Sequence, residues 1–164
     1  MKVIILIAML FAVVSSQYIT EGKFRITCVG SGNGKTNVLD VEKALDTAGT
    51  PIIVFPWHGG PNQQFIVKYV DGIWATLTAV NSGKSITVSG TMAEATYTQQ
   101  PTTGNLNQQF KFTPTSDGLF TITNRASGIV MTCPDTVKTP INNFAAVQGS
   151  KTCNLNEKWD FKSL

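Results

Sequence analysis

Asn62-Gln63-Gln64-Phe65, Asn107-Gln108-Gln109-Phe110 and Asn156-Glu157-Lys158-Trp159 close three successive stretches of the chain in the same way. Three other segments open alike: Glu21-Gly22-Lys23-Phe24-Arg25-Ile26, Asp71-Gly72-Ile73-Trp74-Ala75-Thr76 and Asp117-Gly118-Leu119-Phe120-Thr121-Ile122. Each opening has an acidic residue, a glycine, one variable residue and an aromatic. Openings and closings each recur at roughly 45–50 residues, a spacing at which repeat architectures are built. Two independent markers keep step, so chance matching is a poor account of them.

Inside the repeats the pattern is short strands and turns. Phe24, Ile26 and Cys28 alternate with Lys23, Arg25 and Thr27, and Phe120 and Ile122 alternate with Thr121 and Thr123, the period of two expected of a half-buried strand. Asn81-Ser82-Gly83 and Ala126-Ser127-Gly128 are turn signals, followed by the apolar runs Ile86-Thr87-Val88 and Ile129-Val130-Met131. No amphipathic run is long enough for a helix, and prolines at 51, 56, 61, 101, 114, 134 and 140 punctuate the chain. A single such repeat cannot bury its apolar face, whereas three sharing one closed barrel can, and closure removes most sheet edges. The expected fold is therefore all-β: a β-trefoil of three repeats with about four short strands each, at about residues 17–67, 68–112 and 113–164. Phe65, Phe110 and Trp159 are expected to plug its core, with the adjacent Gln or Glu tying down backbone groups.

Working outward, the chain starts with one positive charge at Lys2, an apolar run from Val3 to Val14 and the small residues Ser15-Ser16. A charged start, a short apolar core and a small-residue exit read as a secretory signal peptide over residues 1–16. The run falls short of the ~20 residues that a membrane span needs. Cleavage would leave Gln17 as the first residue of a single domain, 17–164, with no membrane span, in an extracellular setting. The net charge of +3 falls to about +2 with Lys2 removed. The remaining charges are scattered; the chain has no basic stripe of the kind that binds nucleic acid or a polyanion. Cys28, Cys133 and Cys153 follow the signal segment, an odd number that leaves one thiol over if two pair. Cys28 shares a strand face with Phe24 and Ile26, which reads as a buried, unpaired small hydrophobe. No Asn-x-Ser/Thr sequon is present.

Gln63-x-Phe65, Gln108-x-Phe110 and Glu157-x-Trp159 resemble the Q-x-W repeats of ricin-B-type lectins. The first repeat is the nearest match, through Val38-Leu39-Asp40-Val41, Ala48-Gly49-Thr50-Pro51 and the run Phe55-Pro56-Trp57-His58-Gly59-Gly60-Pro61-Asn62-Gln63-Gln64-Phe65. It is similar to small fungal ricin-B-like lectins in particular. The resemblance implies glycan binding, of galactose or N-acetylgalactosamine type, with no cofactor and no metal. The second repeat has Val88-Ser89 where the family's binding repeats place an aspartate, and Tyr97 as its one candidate aromatic. The third keeps Asp135 but has Glu157 for glutamine and Lys151 near the aromatic's place. One principal sugar site, in the first repeat, is expected. The resemblance also implies a Cys133–Cys153 disulfide, closing a loop of about 20 residues worth ~3 kcal/mol on a chain-entropy model.

Recognition of a neutral sugar needs an aromatic face for the C–H face of a pyranose and a few fixed donors and acceptors for its hydroxyls. In the first repeat, Asp40 can accept from two hydroxyls and Asn62 can both donate and accept. Gln63 is expected to orient Asp40 or brace the turn. Phe55 matches the stacking aromatic by position; Trp57 is the larger ring, lies nearer Asn62 and is the preferred ligand-facing residue. His58 reads either as a direct or indirect hydrogen bonder beside the sugar or as a plain exposed loop histidine.

Two other functions fit a trefoil. A protease inhibitor would present a rigid exposed loop; candidates are Tyr97–Gly104 and Thr136–Pro140, where Lys138 could enter an acidic pocket. A structural or coat trefoil would use the fold as a packing unit, with Cys28 available for a cross-link between chains. Catalysis is disfavoured by a single histidine, the lack of a nucleophile motif and the lack of metal-spaced ligands. A homodimer would add multivalency to a single weak site, but no sequence feature encodes one.

Overall fold

The computed structural model describes residues 18–30, 36–133, 144–149 and 155–164. The β-branched and aromatic runs between the Gly, Pro and Asn turns become short strands. In chain order these are β1 (Gly22–Cys28), β2 (Asn37–Val41), β3 (Ile52–Pro56), β4 (Phe65–Asp71), β5 (Trp74–Ala79), β6 (Ser85–Val88) and β7 (Tyr97–Gln100). Then follow β8 (Phe110–Pro114), β9 (Phe120–Asn124), β10 (Val130–Thr132), β11 (Phe144–Ala145), β12 (Val147–Gly149) and β13 (Trp159–Ser163). The only helical elements among the described residues are single 3-10 turns, three of them at the closing motifs: Pro61–Gln63, Leu106–Gln108 and Leu155–Glu157.

Six strands form a closed antiparallel ring, β1-β4-β5-β8-β9-β13 and back to β1. Three further pairs, β2-β3, β6-β7 and β10-β12, extend from β1, β5 and β9. A six-stranded barrel with three appended hairpins is the β-trefoil. Phe65, Phe110 and Trp159 are each fully buried in its core. They occupy equivalent registers, opposite Ala79, Asn124 and Cys28 on the neighbouring strands. Trp159 also donates its indole N–H to the Met131 carbonyl at 3.0 Å, so its one polar group is satisfied where it is buried.

Two readings of the sequence need correction. The three openings align Trp74 with Phe24 and Phe120, but the register shifts between Tyr69 and Asp71 in the β4–β5 pair. A one-residue slip exchanges the faces of a strand. Ala75 therefore stands opposite Phe110 inside the barrel, while Trp74 is half-buried outside it, with the Arg125 guanidinium 5.1 Å from its ring centroid.

The second correction concerns the disulfide. It joins Cys28 to Cys133, not Cys133 to Cys153. Barrel closure brings the end of β1 beside the end of β10, with the two Cα atoms 6.2 Å apart and both residues buried. Cys28 is thus buried as expected, but paired. Cys153 lies outside the described residues, as do the signal segment, Asp135, Lys138 and Lys151.

Candidate functional site

The register fixes which residues correspond in the three hairpins. Thr27 pairs with Val38, Thr78 with Ser85 and Thr123 with Val130. Two residues on from each hairpin position stand Asp40, Thr87 and Thr132. Across the hairpin, Val38 faces Phe55, Ser85 faces Gln100 and Val130 faces Gly149. The counterparts of Asp40 are therefore Thr87 and Thr132. The sequence alignment through Val88-Ser89 and Asp135 missed them by a slip of two or three residues, because short hairpins of unequal loop length carry no register signal of their own. The first repeat alone combines a carboxylate and an aromatic at these two positions.

In that repeat Asp40 is nearly fully buried, at 2% exposure, at the centre of a polar cluster. Gln63 donates from Nε2 to its Oδ2 at 2.7 Å, and Asn62 donates from Nδ2 to its Oδ1 at 3.0 Å. His58 Nε2 lies 3.6 Å from Oδ2. Burial holds the Asp40 carboxyl above the ordinary carboxylate value of 3.8; the hydrogen bonds from Gln63 and Asn62 and the nearby His58 oppose that rise without cancelling it.

Gln63 is itself fully buried and its amide is used on both sides. Nε2 donates a second bond to the Pro56 carbonyl at 2.9 Å, and Oε1 accepts the His58 backbone N–H at 2.8 Å. It ties the end of β3 to the carboxylate and to the loop that carries the histidine. The second repeat repeats this scaffold with neutral partners: Gln108 donates to Thr87 Oγ1 and the Pro101 carbonyl, both at 2.9 Å, and accepts the Thr103 N–H at 2.8 Å. The glutamine brace is thus common scaffold, and the group it aims is what differs.

A surface cavity of about 210 Å³ lies over the cluster, lined by Asp40, Lys43, Ala44, Ile53, Phe55, His58 and Asn62. Its walls are apolar at Ile53 and Phe55 and polar at Asp40, Asn62 and His58. The Phe55 and His58 rings meet edge to face, with centroids 6.2 Å apart. Of the six candidate residues, four line the cavity, and Gln63 acts from beneath. Trp57, the preferred ligand-facing ring, does not line it. β3 ends at Pro56, the Trp57 N–H donates to the Thr36 carbonyl at 2.8 Å, and the ring lies 5.2 Å from the Arg25 guanidinium on the side of the barrel. The aromatic carbon ring on the cavity wall is that of Phe55. Lys43 and Ala44 were not singled out from the sequence; nothing in their residue types marks them, and only the path of the chain after β2 brings them to the rim.

Other features bear on the alternatives. Tyr97–Gln100 is strand β7, with Tyr97 and Gln99 fully buried, so the exposed part of that inhibitor loop is 101–104. The second loop, 136–140, lies outside the described residues. Among the described residues no cluster of three His, Cys, Asp or Glu is placed to hold a metal, and no helix is long and apolar enough to cross a membrane.

The family model described as ricin-type β-trefoil lectin domain-like matches residues 11–101 and 61–149. Among solved structures, the designed threefold-symmetric protein ThreeFoil is similar over 87% of this chain and 99% of its own, with 26% identity and a TM-score of 0.80. The Rhizoctonia solani agglutinin is similar over 90% of this chain and 99% of its own, with 22% identity and a TM-score of 0.77. The Macrolepiota procera ricin B-like lectin, solved in complex with lactose, is similar over 91% of this chain and 100% of its own, with 22% identity and a TM-score of 0.68. No curated protein sequence matches the chain.

Proposed function

Because the chain belongs to the ricin-type β-trefoil lectin domain-like family, we propose that it is a secreted, non-catalytic lectin with one principal sugar site, the cavity of the first repeat. The observation that carries this reading is the threefold comparison by register. Asp40 and Phe55 are replaced by Thr87 and Gln100 in the second repeat and by Thr132 and Gly149 in the third. A pyranose needs an acceptor for its hydroxyls and an apolar wall for its C–H face, and only the first repeat has both. The cavity is of a size for one sugar residue, and its polar and apolar sides are segregated as such a ring requires.

The role of each residue follows. Asp40 accepts from two hydroxyls, its orientation fixed by Gln63 and Asn62. Asn62 offers its remaining polar capacity to the ligand. Phe55 stacks on the ring, and His58 hydrogen-bonds at its edge. Galactose or N-acetylgalactosamine is the sugar class we favour, in line with the lactose complex of the Macrolepiota procera lectin. The test is a glycan array probed with the chain from Gln17 onward, beside the Asp40→Ala variant. Binding to galactose-terminated glycans that vanishes in the variant is expected. Binding that survives in Asp40→Ala would remove the site from the first repeat, and silence from folded protein would remove the lectin reading.

A further inference from the structure

The cavity rim contains a strained segment. After β2 the chain passes through Glu42–Ala44, and there both Lys43 (φ 54°, ψ 19°) and Ala44 (φ 54°) occupy the left-handed region. Residues with a side chain avoid this region, because Cβ crowds the backbone. Two in succession persist only if neighbouring structure holds them. Their own side chains do little of that: the Lys43–Glu42 ion pair is 3.5 Å long and largely exposed, a class of contact worth little.

Backbone bonds within the first repeat anchor the ends of this segment, Glu42 N–H to the Pro51 carbonyl at 3.1 Å and Leu45 N–H to the Glu42 carbonyl at 3.2 Å; the side chains that hold it come from the second repeat. Asn81, in the turn after β5, donates from Nδ2 to both the Ala44 and Leu45 carbonyls, at 3.2 Å each. Its Oδ1 is buried without a partner, so the amide is engaged through its donor side alone. Gln99 of β7 is fully buried and donates from Nε2 to the Leu45 carbonyl at 2.8 Å and the Thr47 carbonyl at 2.9 Å. Gln99 is in turn fixed by the Ser82 hydroxyl at 2.6 Å, and its backbone carbonyl accepts from Gly49 at 2.8 Å. The Ala44 and Leu45 carbonyls of the rim thus accept from two amides of a neighbouring repeat, and Gln99 also reaches the Thr47 carbonyl just beyond it, which accepts from the Thr50 N–H and hydroxyl as well. Neither amide lines the cavity, whereas Lys43 and Ala44 do.

We propose that Asn81 and Gln99 are positioning residues for the first-repeat sugar site: they clamp the strained rim Glu42–Leu45 and so set the shape of the cavity that it borders. This rests on the sugar-binding reading above for its functional half, and on rim geometry alone for its structural half. It makes the second repeat, which lacks the carboxylate and aromatic, a working part of the first repeat's site.

The strain supplies a control that a generally destabilising mutation lacks. Glycine enters the left-handed region without penalty, so Ala44→Gly removes part of what the clamp must overcome. The experiment compares wild type, Asn81→Ala, Asn81→Asp and Asn81→Ala/Ala44→Gly by amide hydrogen exchange at Leu45, whose N–H donates to the Glu42 carbonyl at 3.2 Å, and by titration with lactose. Asn81→Asp keeps the size of the side chain and replaces the donor with oxygen. Expected are exchange at Leu45 faster by about tenfold and lactose binding weaker by about tenfold in both single variants, with recovery to within about threefold in the Ala44→Gly background. Unchanged exchange in folded Asn81→Ala and Asn81→Asp would overturn the clamp. Lactose binding lost in Asn81→Ala and not recovered with Ala44→Gly would overturn the link from clamp to site. If wild type does not bind lactose, the link to lactose recognition falls with it, while the exchange measurement still decides the clamp.

Discussion

A carboxylate buried at 2% exposure is an unusual choice for a protein with so few charges, and it has a pH signature. Burial raises the Asp40 carboxyl above 3.8 in the folded chain, and the bonds from Gln63 and Asn62 only partly offset it. For stability the sign is that of a raised value. The neutral form suits the fold, so Asp40's contribution is complete below 3.8 and is lost as pH rises through the folded-state value. For ligand binding the sign reverses, because the ionised carboxylate is the acceptor. Lactose affinity should therefore fall on acidification, with a midpoint above 3.8. The titration is best run in a His58→Gln background, which removes the chain's one histidine and leaves Asp40 as the carboxylate that lines the cavity. Affinity that stays flat down to pH 3.8 would sink the assignment of Asp40 as acceptor. At this scale the sequence was informative where chemistry selects the residue type: Asp40, Asn62 and Gln63 were found from the motif, and they meet. It was misleading for Trp57, since ring size favoured it over Phe55 and nothing local signalled that Arg25, from another strand, would receive its face.

At the scale of elements, the loop that joins β3 to the first closing turn is held by its glycines. Gly60 has an ordinary backbone, φ −65°, so alanine would be allowed there by conformation alone. A Cβ on it, however, would stand 2.6 Å from Asn62 Oδ1 and 2.6 Å from His58 Cε1. Gly60→Ala should therefore displace two cavity residues with little effect on the barrel: lactose binding falls by about tenfold or more while the melting temperature changes by only a few degrees. Equal affinity in the variant would mean that His58 and Asn62 are not held in place by this contact. Strand existence was legible from the period-two runs, and the repeat from its two markers. Strand correspondence was not. The bulge at Tyr69–Asp71 turned Trp74 out of the barrel, and the hairpin partners of Asp40 became clear only once pairs such as Thr78–Ser85 were known. Both are register effects, in which one residue of slip inverts every face.

At the scale of the molecule, the disulfide ties β1 to the end of β10 across 105 residues of sequence. On the chain-entropy model a loop of that length restricts the unfolded chain by ~4–5 kcal/mol, against ~3 kcal/mol for the shorter loop expected from the sequence. Cys28→Ala/Cys133→Ala should lower the melting temperature by about ten degrees or more, and thermal unfolding with and without reductant should differ by a similar amount in wild type. A double variant as stable as wild type, and insensitive to reductant, would show that the bond carries no such constraint. The pairing was not legible because family resemblance supplies spacings along the chain, whereas closure of the ring decides which cysteines meet in space.

That ring has a further consequence. β13 lies directly beside β1, with Ser163 opposite Phe24 and the Leu164 N–H on the Lys23 carbonyl at 3.0 Å. A ring of strands has no geometric beginning. Joining residue 164 to residue 18 by a short linker, so that Ile19 stays in the core, and opening the chain at the exposed 91–94 bend would reorder the gene while leaving every strand beside its present neighbours. The first repeat's binding cavity would then sit in the second half of the reordered sequence, and the molecule would be the same barrel read from a different starting point.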